Sequence, residues 1–168
     1  SSDVCSSDLD QLIQKNWETQ KINGVDYFLV GDFSFYDQVL DTTTHLGIPQ
    51  KRFGYTNHTD LENYFNASRG GEVNGNEESP LDMTKWFDTN YHYLVPEIDW
   101  DKKFQPTSER FEYELKLSAE SQINVLPKII GPATLLTLSK ETKLNDEKIE
   151  KLVNAYKELF IKFEKLGF

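Results

Sequence analysis

Apolar residues recur most regularly at the C-terminal end of the chain. Ile149, Leu152, Val153, Tyr156, Leu159, Phe160, Phe163 and Leu166 keep the spacing of one face of a helix for about five turns. Asn145 stands where an N-cap belongs, and Lys and Glu fill the opposite face, the pattern of a solvated surface. Shorter helical patterns precede it. Leu12, Ile13 and Trp17 read as the end of an amphipathic helix that stops at Asn23-Gly24. Ser34 with Asp37 resembles a capping box opening a helix that carries Phe35, Val39 and Leu40 and stops at Gly47 and Pro49. Thr59-Asp60-Leu61-Glu62 reads as a second capping box, with a short helix to about Ala67. Thr107 or Ser108 caps a further helix carrying Phe111, Leu115 and Ala119.

Between the helices lie short apolar runs without alternation, Val25 to Val30 and Val125 to Ile130, the latter punctuated by Gly131-Pro132. Such runs predict strands covered on both faces. Thr84 to Phe87 reads as another short buried strand, and Tyr91 to Val95 as a return into extended structure, with Asp88, Thr89 and Asn90 as a polar corner between them. Arg69 to Pro80 is rich in Gly, Asn and Glu and predicts a mobile surface loop; Asp99 to Pro106 predicts another. Strands alternating with helices predict an α/β fold with a parallel sheet.

Composition narrows the partners. A chain of 168 residues with 38% hydrophobic content suffices for one globular domain. The formal net charge of −10 disfavours nucleic acid and anionic membrane, both of which need a cationic face. No run is long enough to span a membrane and no signal-peptide pattern opens the chain, so a cytoplasmic protein is expected. Residues 1–9 have no periodicity, and Asp3 to Leu9 resembles a translated sequencing-library adapter. They are expected to stand outside a natural fold of residues 10–168; without Asp3 and Asp8 the charge becomes −10 + 2 = −8.

Candidate chemistry gathers at the predicted strand ends: Asp32, Ser34 and Tyr36 after Val30, Asp88, Thr89 and Asn90 after Phe87, and Thr134 after Ile130. Each also serves as ordinary turn or cap chemistry. Lys85 is a lone cation in an apolar run, which by itself describes a lysine reaching for solvent. His92 reads as a hydrogen-bonded core histidine, and His45 and His58 as residues near the surface with no partner at catalytic spacing. No His, Cys or Glu set has metal-ligand spacing, and Gly131 to Thr134 lacks the ending of a phosphate loop.

Three blocks, in order, carry a resemblance: Gly31 to Asp41, Met83 to Glu97 (Met-Thr-Lys-Trp-Phe-Asp-Thr-Asn-Tyr-His-Tyr-Leu-Val-Pro-Glu), and Pro127 to Thr134. Together they resemble the N-terminal domain of cobalamin-independent methionine synthase. That resemblance implies part of a (β/α)8 TIM barrel, about three β/α units cut at both ends, because a barrel needs eight units and some 250 residues. It implies transfer of a methyl group from 5-methyltetrahydropteroyltriglutamate to homocysteine, with a monomeric enzyme at full length and no cobalamin. It implies a folate site here, with Lys85 on the polyglutamate tail and Trp86, Asn90 and Asp32 beside it. The zinc of such enzymes, held in their C-terminal half by a His-x-Cys pair, a Glu and a further Cys, finds no ligands in this chain. Homocysteine would then be bound by the absent half. A non-catalytic binding or scaffold domain derived from the same barrel is the alternative, and another enzyme of the barrel superfamily, such as a uroporphyrinogen decarboxylase relative, fits the Met83 to Glu97 block less well.

Overall fold

The computed structural model describes residues 2–59 and 61–168, with side chains from residue 8 onward. Helix α1 (Ser2–Ile22) ends as its spacing predicts, with Asn23 and Gly24 bonding back to the last turn. Its inner face is Ile13 and Trp17, both buried, whereas Leu12 is exposed. Most of the segment expected to stand outside the fold lies beyond the described side chains. Leu9 is half-buried against the main core, in a helix that runs unbroken through it.

Strand β1 (Phe28–Val30) pairs in parallel with β6 (Val125–Pro127), in the register Phe28 with Val125 and Val30 with Pro127. The strands are not covered on both faces, as their apolar composition suggested. Phe28 and Val30 are buried, but Leu29 and Leu126 are 41% and 46% exposed on the other face. Helix α2 (Gln38–His45) begins three residues later than Ser34 would set it. Asp37 is the N-cap, accepting from the amides of Val39 and Leu40, and Phe35 lies outside the helix.

Helix α3 (Glu62–Arg69) starts without a side-chain cap; Asp60 of the expected capping box lies outside the described residues, and Thr59 bonds Asn57 instead. The polar stretch expected to be a mobile loop is an antiparallel hairpin of β2 (Gly71–Val73) and β3 (Asn76–Glu78). Its turn is Asn74-Gly75, both at positive φ (52° and 80°), the combination a two-residue hairpin turn requires.

Strands β4 (Met83–Lys85) and β5 (His92–Leu94) form a second antiparallel hairpin. Extended structure is found at both predicted segments, but β4 is not buried: Met83 and Lys85 are exposed, as is Phe87 just beyond it, and Tyr93 and Leu94 of β5 carry the packing. Helix α4 (Glu109–Ser121) buries Phe111, Glu114, Leu117 and Ser118, with Ala119 exposed. Helix α5 (Pro132–Leu138), with Pro at its first turn, was hidden in what read as punctuation.

Helix α6 (Asp146–Leu166) follows its sequence pattern. Asn145 accepts from the Lys148 amide, and Leu152, Tyr156, Leu159 and Phe163 are buried, while Ile149 and Phe160 are exposed. Asn145→Ala should cost about 1 kcal/mol, the usual worth of such a cap, measured by urea unfolding. The main core lies between the β1–β6 pair and helices α1, α4, α5 and α6; a second cluster joins Leu40, Phe53, Tyr64, Ala67, Val73, Leu81 and Leu94. Among the described residues the fold is therefore mixed α/β, with one parallel pair, two antiparallel hairpins and no closed barrel. No helix is long and apolar enough to cross a membrane among the described residues.

Candidate functional site

The carboxyl ends of β1 and β6 lie side by side, tied by the Lys128 amide on the Val30 carbonyl at 2.9 Å. In parallel α/β architecture this is where side chains are left free for chemistry, because the strand ends lead into loops. Lys128 Nζ lies 3.2 Å from Asp32 Oδ1 and donates to Gln38 Oε1 at 2.9 Å. Asp32, Gln38 and Lys128 thus form one half-exposed polar cluster above the parallel pair.

Asp37, the next residue toward β1, joins that cluster to the β4–β5 hairpin. Its Oδ2 accepts from Val39 N (3.1 Å) and Leu40 N (2.9 Å) and, at 3.4 Å, from Leu94 N; its Oδ1 accepts from the Tyr91 hydroxyl at 2.8 Å. Burial raises the Asp37 carboxyl above the ordinary carboxylate range, opposed by these hydrogen bonds. Burial and the Asp37 carboxylate both push the Tyr91 hydroxyl upward, so it remains a donor at neutral pH.

The hairpin carries three of the four expected site residues. Lys85 is exposed and forms no hydrogen bond or ion pair among the described residues. Trp86 is half-buried, its ring edge-on to Phe87, Tyr91 and Tyr93. Asn90 is exposed at the tip, where its carbonyl lies 3.0 Å from His92 Nδ1. His92 is exposed too, against the expectation of a core position, because the antiparallel pairing turns it outward opposite Lys85. The fourth residue, Asp32, sits at the β1 end and bonds Lys128; no hydrogen bond or ion pair joins it to the hairpin among the described residues. The sequence reading missed Lys128 and the double role of Asp37. A cation directly after an apolar strand could have signalled Lys128; nothing local links Asp37 to Tyr91, 54 residues away.

A second polar group lies inside, between α2, α3 and α4. Tyr64 donates to Asp41 Oδ1 at 2.6 Å, and His58 Nε2 lies 3.7 Å from the same oxygen. The His45 and His58 ring centroids lie 4.5 Å apart with the planes tilted by 52°, and His45 packs on Phe111 at 4.4 Å. Both imidazoles, expected near the surface, are inside, because loop and helix fold back over them. Arg110 pairs with Glu114, which accepts the Gly31 amide at 2.7 Å. Burial raises Asp41 to about 6 and lowers His58 to about 4, with Arg110 adding to the latter; burial also holds His45 far below its usual range. His58 beside Asp41 is thus a neutral imidazole at pH 7 and no ion pair. Among the described residues, both its ring nitrogens and Arg110 Nη2 lack hydrogen-bond partners and are closed off from solvent. No group of three or more His, Cys, Asp or Glu side chains is placed to hold a metal among the described residues.

A parallel strand pair with polar residues gathered at its carboxyl ends, flanked by an exposed lysine-bearing hairpin, defines a mixed α/β domain. The chain belongs to the cobalamin-independent synthase family: the model of that family's N-terminal domain matches residues 2–168. It is 43% identical over 143 residues to the 5-methyltetrahydropteroyltriglutamate–homocysteine methyltransferase of Flavobacterium johnsoniae, covering 84% of this chain and 18% of the relative. Proteins of the same name from Coxiella burnetii and Neisseria meningitidis serogroup C are 39% and 38% identical over 155 and 131 residues, covering 90% and 77% of this chain. They are matched over 20% and 17% of their own length, so the chain spans about a fifth of these curated relatives.

Proposed function

We propose that this chain is the folate-binding part of a cytoplasmic methyltransferase that moves the methyl group of 5-methyltetrahydropteroyltriglutamate to homocysteine, yielding methionine. The observation that carries the reading is Lys85, an exposed ammonium without an ion pair among the described residues, on a hairpin anchored to the strand-end cluster. A solvated cation is open to a glutamate-tail carboxylate, where it would make a charge-assisted hydrogen bond. Trp86 offers an aromatic wall beside it, Asn90 a neutral amide at the tip, and Asp32, fixed by Lys128, an acceptor at the strand end. The parallel β1–β6 pair fits two strands of a (β/α)8 barrel, with residues 10–168 as the natural part of that domain. Zinc, which in such enzymes would activate the homocysteine sulfur as a thiolate, does not fit the residues described here; its ligands would lie in the remainder of the full-length protein, and the part of this chain is to hold folate.

The test is Lys85→Ala in a full-length synthase carrying this segment. Loss of one charge-assisted bond, roughly 1.5–3 kcal/mol, should weaken the triglutamate folate about ten- to a hundred-fold in calorimetry. The monoglutamate, with less anion to lose, should suffer less, and homocysteine binding should stay nearly unchanged. Equal binding of both folates by variant and wild type would return Lys85 to the role of a solvent-seeking lysine.

A further inference from the structure

The hairpin that bears Lys85 has little to hold its far end. Strands β4 and β5 are three residues each, and an isolated two-stranded hairpin is marginal in water. Residues 87–92 are all exposed, and Phe87 takes a left-handed backbone with φ 49°. Within the tip, Trp86 N donates to Tyr91 O at 2.7 Å, and Thr89 bonds the Trp86 carbonyl through its amide (3.1 Å) and its hydroxyl (2.7 Å). Those bonds give the tip its shape but do not fix it to the domain. The Tyr91 hydroxyl does so: it donates to Asp37 Oδ1 at 2.8 Å and accepts from the Gln38 amide at the start of α2.

We propose that Asp37 and Tyr91 are positioning residues, a clamp that fixes the hairpin tip to the start of α2 and so aims Lys85 at its ligand. This rests on the folate reading given above and extends it to residues that need touch no substrate. Asp37 divides its work by oxygen. Oδ2 takes the two amides that begin α2 and faces the Leu94 amide of β5, while Oδ1 is given to Tyr91. Because the carboxylate is already rigid as a helix cap, the phenol bonds to a fixed point, and little ordering is left to do when an anion arrives. The Tyr91 ring also lies edge-on to Trp86 at 6.1 Å, so holding the phenol holds the indole next to Lys85.

The division of oxygens gives variants that separate clamp from fold. Tyr91→Phe removes the clamp and leaves the cap intact. Asp37→Asn keeps both, since its oxygen can serve the amides while its NH2 donates to the phenol oxygen. In a full-length synthase carrying this segment, Tyr91→Phe should speed hydrogen exchange at the Trp86 and Thr89 amides several-fold, leave exchange across α2 beyond Gln38 unchanged, and weaken triglutamate folate three- to ten-fold. Asp37→Asn should restore both readouts to near wild type. With Lys85→Ala already present, Tyr91→Phe should cost almost nothing further, because there is no ammonium left to aim. Unchanged exchange at the tip, or full additivity of the two losses, overturns the clamp. If the wild type itself fails to bind the triglutamate, the folate reading fails and this inference falls with it. If the wild type binds and Tyr91→Phe binds equally well, only the clamp is wrong.

Discussion

Gly47→Ala should destabilise this chain by at least about 3 kcal/mol and lower its melting temperature by roughly ten degrees. Gly47 follows α2 with φ 57°, where an L-residue costs about 1–2 kcal/mol. A Cβ there would also lie 1.9 Å from the Gln105 carbonyl oxygen, 2.2 Å from its carbon and 2.7 Å from its Cα. These are backbone atoms, so no rotamer change relieves the contact. The segment through Gln105 would have to move away, although it is bound at two points, Gln105 N on Gly47 O at 3.0 Å and Thr107 N on His45 O at 2.9 Å. Moving it would also uncover Phe104 and Pro106, which are buried. Gly24→Ala is the control: its φ is 80°, but its Cβ meets nothing within 4 Å, so only the backbone term of about 1 kcal/mol applies. Urea unfolding of both variants decides the matter. If the two losses are equal, the close approach of residues 47 and 105 is not what makes glycine necessary.

Periodicity was enough for the long helices and not for the rest. A repeat of 3.6 residues sustained from Ile149 to Leu166 marks α6 without ambiguity, and its Asn145 cap stands one residue before the start. The same test has no grip on α5, whose seven residues make barely two turns, or on strands of three residues. The start of α2 was misplaced because Ser34 and Asp37 are both good caps by chemistry; which one caps depends on Leu94 and Tyr91 closing over Asp37 from a distant hairpin. Composition alone predicts a loop where the β2–β3 hairpin lies, although Asn74-Gly75 carries the turn signal. Apolar composition suggested strands buried on both faces, yet Leu29 and Leu126 are open, since composition records preference and burial needs a neighbour.

The candidate site divides along the same line. Lys85, Trp86 and Asn90 could be picked out together because they share one short stretch of chain. The cluster of Asp32, Gln38 and Lys128 needs two strands in parallel register, and that register depends on residues about a hundred positions apart. His45 and His58 were misjudged for a related reason. Their burial comes from Phe35, Tyr64 and Phe111, none of which adjoins them in sequence.

That buried group sets a prediction about pH. Asp41 has its carboxyl raised from 3.8 to about 6 by burial, so its contribution to stability is present below pH 3.8 and is lost as pH rises through 6. His58 is lowered from 6.5 to about 4, so its contribution is present above pH 6.5 and is lost as pH falls through 4. Asp37 acts in the sense of Asp41, and His45 in the sense of His58. Between pH 4.5 and 7 the two carboxyls and the two imidazoles therefore oppose one another, and neither dominates the wild type. Removing one member should expose the other side. Asp41→Asn should make the protein lose about 2 kcal/mol more than wild type on going from pH 7 to pH 4.5, because only Asp37 then still opposes the imidazoles' resistance to protonation. His58→Gln should shift the same difference by about 2 kcal/mol in the opposite direction. Unfolding free energies at the two pH values, for wild type and both variants, give the signs directly. Parallel changes in the two variants would mean that Asp41 and His58 titrate as they do in the unfolded chain, and the buried neutral imidazole beside the raised carboxyl would have to be abandoned.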